Sequence, residues 1–447
     1  MGKKLEKWSF GYWLLKQYVI FAKWIFHRQF RVQGLENIPS GKPVVYAPNH
    51  QNALSDALAL VCTVPHQTVW LARADIFRSS FANHLLHFLK MIPVYRIRDG
   101  KENLSENAKT FDLCVRILQN NNALGLFPEA AHSGRRKMLP HKKAVPRIVF
   151  LAEEQSGFSL DIQIVPVGIY YDQYHHFGRR MEIAFGKPVP VFNYLDQYLQ
   201  NQQLAVNSLR NDLESAISSL VVNFEEDRFY DGFEAITELC WREINPVQQS
   251  YKSQLSRLQN SRLIAGKLNR LAKDNPELAA SLSLKALNLV HHLKALGLRS
   301  WLVDSKEERP GRIVLMTSGL VLTSPLFVFG FFFNILPFLL LDRTIRKKVK
   351  QAVFRSTFSF AAGLVVFPMF YIAETAITSV FIGGWTLLIL FLSLPFAGKF
   401  AFSWFVLMLK TIGSLRWLRI RKINPVLYND LHRKKIEITD CVRALPG

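Results

Sequence analysis

For a chain of 447 residues, cysteines and acids are both scarce. The four cysteines, Cys62, Cys114, Cys240 and Cys441, lie far apart with no CxxC spacing. That excludes a disulfide framework and a zinc ribbon, and fits a reducing compartment. Asp and Glu number 34 against 56 Lys and Arg, for a formal charge of +22. Such an excess calls for an anionic partner: nucleic acid, an anionic membrane surface or a phosphate-bearing ligand. Several catalytic signatures are missing: GxSxG, the phosphate-binding P-loop, GxGxxG after a strand, and HExxH. The His175-His176 and His291-His292 pairs have no acid or cysteine at metal spacing, so no metal and no cofactor is expected. There is no repeat and no low-complexity tract. An apolar fraction of 49% excludes a mostly disordered chain.

Charge is also missing locally. No charged residue occurs in the 29 positions from Ile313 to Leu341, and only Glu374 occurs between Ser356 and Gly398. A spanning helix needs about 20 apolar residues, so residues 312–410 are expected to be embedded in a membrane. Basic clusters flank these runs, at Arg343–Arg355 and Lys410–Lys422. The positive-inside rule places both in the cytoplasm. Glu374 then marks an outer turn between spans at about 357–373 and 376–397. The first run, interrupted by Pro325 and Pro337, reads as a re-entrant hairpin with both ends cytoplasmic. Residues 400–409 are too short to span and read as interfacial. Residues 411–447 read as a cytoplasmic basic tail.

Residues 1–29 read as an amphipathic helix on the membrane surface. Lys16 and Lys23 interrupt its apolar stretch, so it is no signal peptide. Ser9, Lys16 and Lys23 recur at seven and share one face, with Trp8, Tyr12, Trp13 and Trp24 as interfacial aromatics. Residues 30–195 alternate short apolar strands (Pro43–Ala47, Thr68–Ala72, Met91–Tyr95, Ala123–Phe127, Ile162–Tyr170) with helices such as 104–119. That pattern predicts an α/β domain with a mostly parallel sheet flanked by helices. Residues 196–311 read as a helical region with an apolar stripe, Leu209, Leu213, Ile217 and Leu220, and a helix start at Asn275-Pro276-Glu277. They carry no chemical motif.

Chemistry concentrates at two strand ends. Pro43–Ala47 runs into Asn49-His50, where α/β sheets place their sites, and Asp56 follows six positions later. Six is not a same-face helical spacing, so His50 must sit in a turn and a helix start must fold Asp56 back to it. A His–Asp pair suits general-base catalysis on a hydroxyl. Ala123–Phe127 ends in Pro128-Glu129, then opens into a loop with Arg135, Arg136, Lys137, Lys142, Lys143 and Arg147. No acid occurs from Ala130 to Ala152, which suits a phosphate-bearing ligand.

Asn49-His50 with Asp56, then Phe127-Pro128-Glu129, then Val165-Pro166-Val167-Gly168 resemble, in that order, blocks I, III and IV of the PlsC-type glycerolipid acyltransferases. Ile92-Pro93-Val94-Tyr95-Arg96 resembles block II, whose arginine binds the acceptor phosphate; Arg98 competes for that role. The resemblance covers about residues 30–190. It implies transfer of an acyl group from acyl-CoA or acyl-carrier protein to a hydroxyl of glycerol 3-phosphate, in phosphatidic acid synthesis. In that reading His50 and Asp56 are catalytic. Arg96, Arg135, Arg136 and Lys143 hold phosphate. Asn49, Phe127, Pro128, Glu129 and Pro166 organise the pocket, with Glu129 paired to a basic residue and to backbone N–H groups.

There are two departures. Five residues separate His50 from Asp56 where the common pattern has four, which resembles a subgroup with fungal glycerol-3-phosphate and dihydroxyacetone-phosphate acyltransferases. The usual Gly-Thr-Arg after the block III glutamate is Ala130-Ala131-His132, so another basic residue must grip the phosphate. Lysophosphatidate is the alternative acceptor. A catalytically dead, membrane-anchored lipid-binding scaffold is the non-enzyme alternative. Basic clusters that flank apolar segments argue against nucleic acid. The expected location is the cytoplasmic face of a membrane, with the lack of long disordered tails favouring a bacterial inner membrane.

Overall fold

The structure, a computed structural model, describes residues 5–95, 106–172, 178–244, 257–303 and 310–446. It divides into two units, Met1–Val221 with Gln351–Thr357, and Val222–Lys350 with Phe358–Gly447.

The first unit is built on a sheet of eight strands: β1 (Gln29–Gln33), β2 (Val44–Pro48), β3 (Val69–Arg73), β4 (Met91–Val94), β5 (Ala123–Gly125), β6 (Gln163–Tyr171), β7 (Arg180–Phe185) and β8 (Val189–Pro190). Their order is β1-β7-β6-β2-β5-β3-β4, with β8 also on β6. The run from β6 to β4 is parallel, while β7 is antiparallel to β6 and parallel to β1. This is the mostly parallel α/β fold that the alternating pattern predicts. β2 shows why its sequence is continuously apolar: Val45 and Ala47 enter one core and Val44 and Tyr46 the other. The five strands read from sequence match β2 to β6 within two residues. β1, β7 and β8 were not expected; β1 (QFRVQ) alternates too weakly in hydropathy to stand out.

Helices α2 (Ala53–Val61), α3 (Ser80–Phe88), α4 (Glu106–Gln119), α5 (Ala144–Gln155), α6 (Leu195–Gln200) and α7 (Gln202–Ser218) belong to the same unit. Here the expected boundary at 195 needs correction. The α7 stripe, Leu209, Leu213 and Ile217, packs in the core with β2, α4 and α5. Gly168 on β6 permits this approach, since a Cβ there would lie 2.6 Å from the Leu220 carbonyl oxygen.

Helix α1 (Phe10–Phe26) turns its shared Ser9, Lys16 and Lys23 face inward. Ser9 exchanges hydrogen bonds with Gln67, and the Lys16 ammonium donates to the Val64 carbonyl at 2.7 Å. Lys23 is buried, and its Nζ lies 3.5 Å from the Phe30 ring centroid. The outward face carries Phe10, Trp13, Leu14, Tyr18, Phe21 and Trp24, all exposed. An apolar face outside and a charged face inside is the reverse of a soluble amphipathic helix.

The second unit is helical: α8 (Tyr230–Cys240), α9 (Arg257–Asp274), α10 (Pro276–Ala295), α11 (Pro310–Leu322), α12 (Ser324–Lys348), α13 (Ala352–Thr378, from Phe358 on), α14 (Trp385–Ile423) and α15 (Pro425–Ala444). Asn275 caps α10, its side chain accepting from the Leu278 N–H at 2.9 Å. Among the described residues, three helices are long and apolar enough to cross a membrane: Ser324–Lys348, Phe354–Thr378 and Trp385–Ile423.

Three membrane readings change. Helical bonds from Thr323 N to Gly319 O and from Phe327 N to Thr323 O carry α11 into α12, so 313–341 is no hairpin. Pro325 stands in the first turn of α12, where a missing N–H goes unnoticed. Residues 400–409 are the interior of α14, whose 39 residues run about 58 Å, roughly twice a hydrocarbon core. Finally, Phe327 stacks on Trp404 while Asn334 donates to the Leu394 carbonyl, so α12 and α14 are antiparallel. Their basic C-terminal ends therefore point in opposite directions, whereas the charge pattern suggested one common side.

Candidate active site

Parallel strands β2, β5 and β6 end at one edge of the sheet. β2 delivers Asn49 and His50. The Asn49 side chain is fully buried and prolongs the β2–β6 ladder, accepting from Ile169 N at 2.7 Å and donating to Ile169 O at 3.2 Å. The chain then turns through Ala53, left-handed at φ +43°, into α2. A non-glycine residue there stores strain of about 1–2 kcal/mol, which the surrounding hydrogen bonds must offset.

The turn brings Asp56 back onto His50. Asp56 Oδ2 accepts from His50 Nδ1 at 2.9 Å, from Gln51 N at 2.8 Å and from Asn52 N at 2.7 Å. Asp56 Oδ1 accepts from the Tyr171 hydroxyl at 2.8 Å. Asp56 is wholly buried in the first turn of α2, where the helix dipole also favours an acid. An acceptor on Nδ1 assigns the proton to that nitrogen and leaves Nε2 as the basic atom.

β5 delivers the second part. Gly125 leaves room for Trp70, whose indole would lie 2.3 Å from a Cβ at that position. Phe127 stacks on the His50 ring, with centroids 4.0 Å apart and planes at 25°. Glu129 is buried. Its Oε1 accepts from His50 N at 2.8 Å and its Oε2 from Leu139 N at 2.9 Å. Each carboxylate oxygen thus meets a backbone N–H, as expected, whereas the expected basic partner does not appear: among the described residues no ion pair to Glu129 occurs. Burial pushes its carboxyl up to about 8, against the lowering effect of the two N–H donors. Pro128 O accepts from Lys142 N, and Ser133 N donates to His50 O at 3.0 Å, so the basic loop is stitched to the turn that carries His50.

The candidate phosphate ligands separate. Arg135 is exposed and Lys143 half-buried at the start of α5. Arg136 is buried, with Nη2 donating to the carbonyls of Tyr171 and Asp172. That commits at least part of its fork to β6. Arg96 and Arg98 lie outside the described residues. Pro166 faces Ala47 across the β2–β6 ladder, in the gap between the β8 and β7 pairings of β6. A proline is tolerated where no ladder needs its N–H.

Three residues escaped the sequence reading. Tyr171 and Arg179 lie on the buried side of Asp56. His132, noted there only as a replacement, sets its ring edge-on to His50 at 5.7 Å. Burial, and then the neighbouring His50, lower its imidazole. Its position three after Glu129 was the one available signal.

Residues 29–170 match the family model described as Acyltransferase. Glycerol-3-phosphate O-acyltransferase 1 of Saccharomyces cerevisiae is 25% identical over 262 residues, covering 56% of this chain and 33% of that protein. Glycerol-3-phosphate O-acyltransferase 2 of the same yeast is 25% identical over 119 residues, covering 26% and 16%. The chain thus spans a third or less of the length of these relatives. The crystal structure of the 1-acyl-sn-glycerophosphate acyltransferase PlsC from Thermotoga maritima aligns with a TM-score of 0.34 at 17% identity, covering 46% of this chain and 78% of that one. Strands β1 to β5, nearly all of β6 and both strand-end motifs lie inside the segment, residues 29–170, that resembles the Acyltransferase family model.

Proposed function

We propose that this chain is a membrane-bound acyltransferase that moves a fatty acyl group from a thioester, acyl-CoA or acyl-carrier protein, to a hydroxyl of glycerol 3-phosphate. The observation that carries the reading is the bond from His50 Nδ1 to Asp56 Oδ2, which leaves Nε2 free to act as a base. Nε2 takes the proton of the acceptor hydroxyl as its oxygen attacks the thioester carbonyl. The C–O bond forms, the C–S bond breaks, and His50 returns the proton to the thiolate. Proton transfer of this kind is worth about 10²–10⁴-fold in rate. No covalent enzyme intermediate is needed.

Glu129 acts as a brace. It holds the His50 main chain and the loop at Leu139 together, so the base and the phosphate-binding loop keep one spacing. Phe127 supports the imidazole from one face. Arg135, with His132 beside the base and Arg96, receives the acceptor phosphate; Arg136 shapes the wall behind it. The outward aromatic face of α1 rests in the lipid surface from which an amphiphilic substrate arrives.

The test is turnover of labelled acyl-CoA by the purified full chain in lipid nanodiscs. Glycerol 3-phosphate, dihydroxyacetone phosphate and 1-acylglycerol 3-phosphate are compared as acceptors, with the chain intact and as His50→Ala. Greatest turnover with glycerol 3-phosphate, lost in His50→Ala, is the expected result. Undiminished activity of His50→Ala would end this mechanism. Greatest turnover with 1-acylglycerol 3-phosphate would keep the chemistry and change the acceptor.

A further inference from the structure

Beneath the His50–Asp56 pair lies a buried polar cluster that the acyl-transfer chemistry does not require. Four donors hold Asp56, but unevenly. His50 Nδ1 and two main-chain N–H groups all bind Oδ2. Oδ1 is met by the Tyr171 hydroxyl at 2.8 Å. Three donors on one oxygen restrain its position but leave the carboxylate plane able to rotate about them. A donor on the second oxygen fixes the plane, and with it the direction of the bond to His50. Tyr171 is fully buried at the end of β6, so no solvent can take over this bond.

Tyr171 is itself held. The Arg179 guanidinium carbon lies 4.6 Å from its ring centroid. Arg179 Nη2 donates to Ser55 Oγ at 3.3 Å, one residue before Asp56, and Nε faces His27 Nε2 at 3.4 Å. Arg179 is buried, and Tyr171, Asp56 and Asp172 are the groups whose charge favours its ionised form against burial. A buried carboxylate without a nearby opposite charge is strongly disfavoured, and Arg179 supplies that charge on the side away from the substrate. Residues 356 and 357 complete the cluster. Ser356 Oγ donates to Asn52 Oδ1 at 3.3 Å, and Ser55 Oγ and Thr357 Oγ1 share a bond of 3.2 Å. Two residues just before Asp56 in the turn are thereby tied to a segment about 300 positions later in the chain.

We infer that Tyr171 and Arg179 are positioning residues for the His50–Asp56 pair: Tyr171 fixes the plane of the carboxylate, and Arg179 fixes Tyr171 and balances the buried charge. The inference rests on the reading of that pair as the catalytic base. It has a directional signature. A donor on Oδ1 draws negative charge away from Oδ2, and a cation behind the carboxylate opposes protonation of His50. Loss of either makes the imidazolium easier to form. Loss of the Asp56 charge does the opposite. The other titratable or charged groups facing the pair are Glu129 on the His50 N–H, His132 at its ring edge and Asp172 after β6, with Arg73 acting through His132. All of them stay unchanged in the variants below.

The experiment uses the full chain in nanodiscs and whichever acceptor the unmodified protein turns over fastest. The variants are Tyr171→Phe, Arg179→Lys, Arg179→Met and Thr357→Val, with His50→Ala and Asp56→Asn as references. Tyr171→Phe is expected to lower kcat roughly ten- to a hundred-fold with KM for both substrates nearly unchanged. The acid limb of its kcat–pH profile should move up by about half a unit. Asp56→Asn should move that limb down. Arg179→Lys should recover part of what Arg179→Met loses, and Thr357→Val should give a smaller loss of the same kind. If Arg179→Met does not fold, Tyr171→Phe decides alone, since it removes one oxygen. With His50→Ala inactive, a Tyr171→Phe enzyme of unchanged kcat and unchanged acid limb overturns the inference. Full activity of His50→Ala would instead remove the reading beneath it.

Discussion

The ring of Phe127 lies almost flat against that of His50, centroids 4.0 Å apart, with Trp70 behind it at 5.9 Å. Imidazole and phenyl stack, with the indole tilted behind them, in a column that runs from the core of the sheet to His50. The stack limits His50 to the rotamer that meets Asp56. Phe127→Leu, which keeps apolar bulk, should retain activity within a few-fold, whereas Phe127→Ala should lose about 10²-fold in kcat with little change in KM. Steady-state kinetics on the two variants separates ring support from mere filling.

Glu129 predicts a pH dependence of stability. Its folded carboxyl is held up to about 8 from an ordinary 4.5. Between those values the folded chain binds more protons than the unfolded one, so its contribution to stability falls as pH rises, by up to about 1.4 kcal/mol per unit. Outside that window the contribution is flat. Thermal unfolding of the intact chain should therefore lose midpoint between pH 5 and 8, and Glu129→Gln should lose less. The same variant turns an amide NH2 towards a main-chain donor, so its kcat should drop about ten-fold or more.

His132 stands where the resembling family carries arginine. Burial and His50 lower its imidazole, so at neutral pH it offers hydrogen bonding without full charge. His132→Ala should raise the acceptor KM several-fold and leave the donor KM unchanged. His132→Arg should lower the acceptor KM and make it more sensitive to salt, because a fixed charge replaces a neutral donor. Kinetics with glycerol 3-phosphate at two ionic strengths checks both.

What was readable in the chain follows physical locality. β2 to β6 announced themselves because strands buried on both faces are continuously apolar, as in Val44–Tyr46 and Ile164–Tyr170. His50, Asp56 and Glu129 were readable because each sits within a few residues of such a strand end. β1 and β7 were not, because QFRVQ and RMEIAF carry charge within the strand. Tyr171 and Arg179 escaped for a different reason: Tyr171 reaches Asp56 from 115 positions away and Arg179 reaches the adjacent Ser55 from 124, and nothing local marks them. The membrane segments were recognisable as apolar but not in their packing. The pairing of Asn334 with Leu394 and Tyr371 depends on interhelical hydrogen bonds, which hydropathy does not encode.

Lys23 supplies the last prediction. It is buried on the inner face of α1, over the Phe30 ring, and burial lowers its ammonium to about 8 from an ordinary 10.5. The unfolded chain binds more protons between those values, so the contribution of Lys23 to stability rises as pH climbs through 8 to 10.5. At neutral pH the buried charge costs about 1–3 kcal/mol after the attraction of the Phe30 ring offsets part of it. Lys23→Met keeps the length of the side chain and removes the charge. Its unfolding midpoint should rise at pH 7 and its profile from pH 8 to 10.5 should flatten relative to the intact chain. A lower midpoint at pH 7 would mean that Lys23 is held by a specific anionic partner on that face and not merely tolerated there.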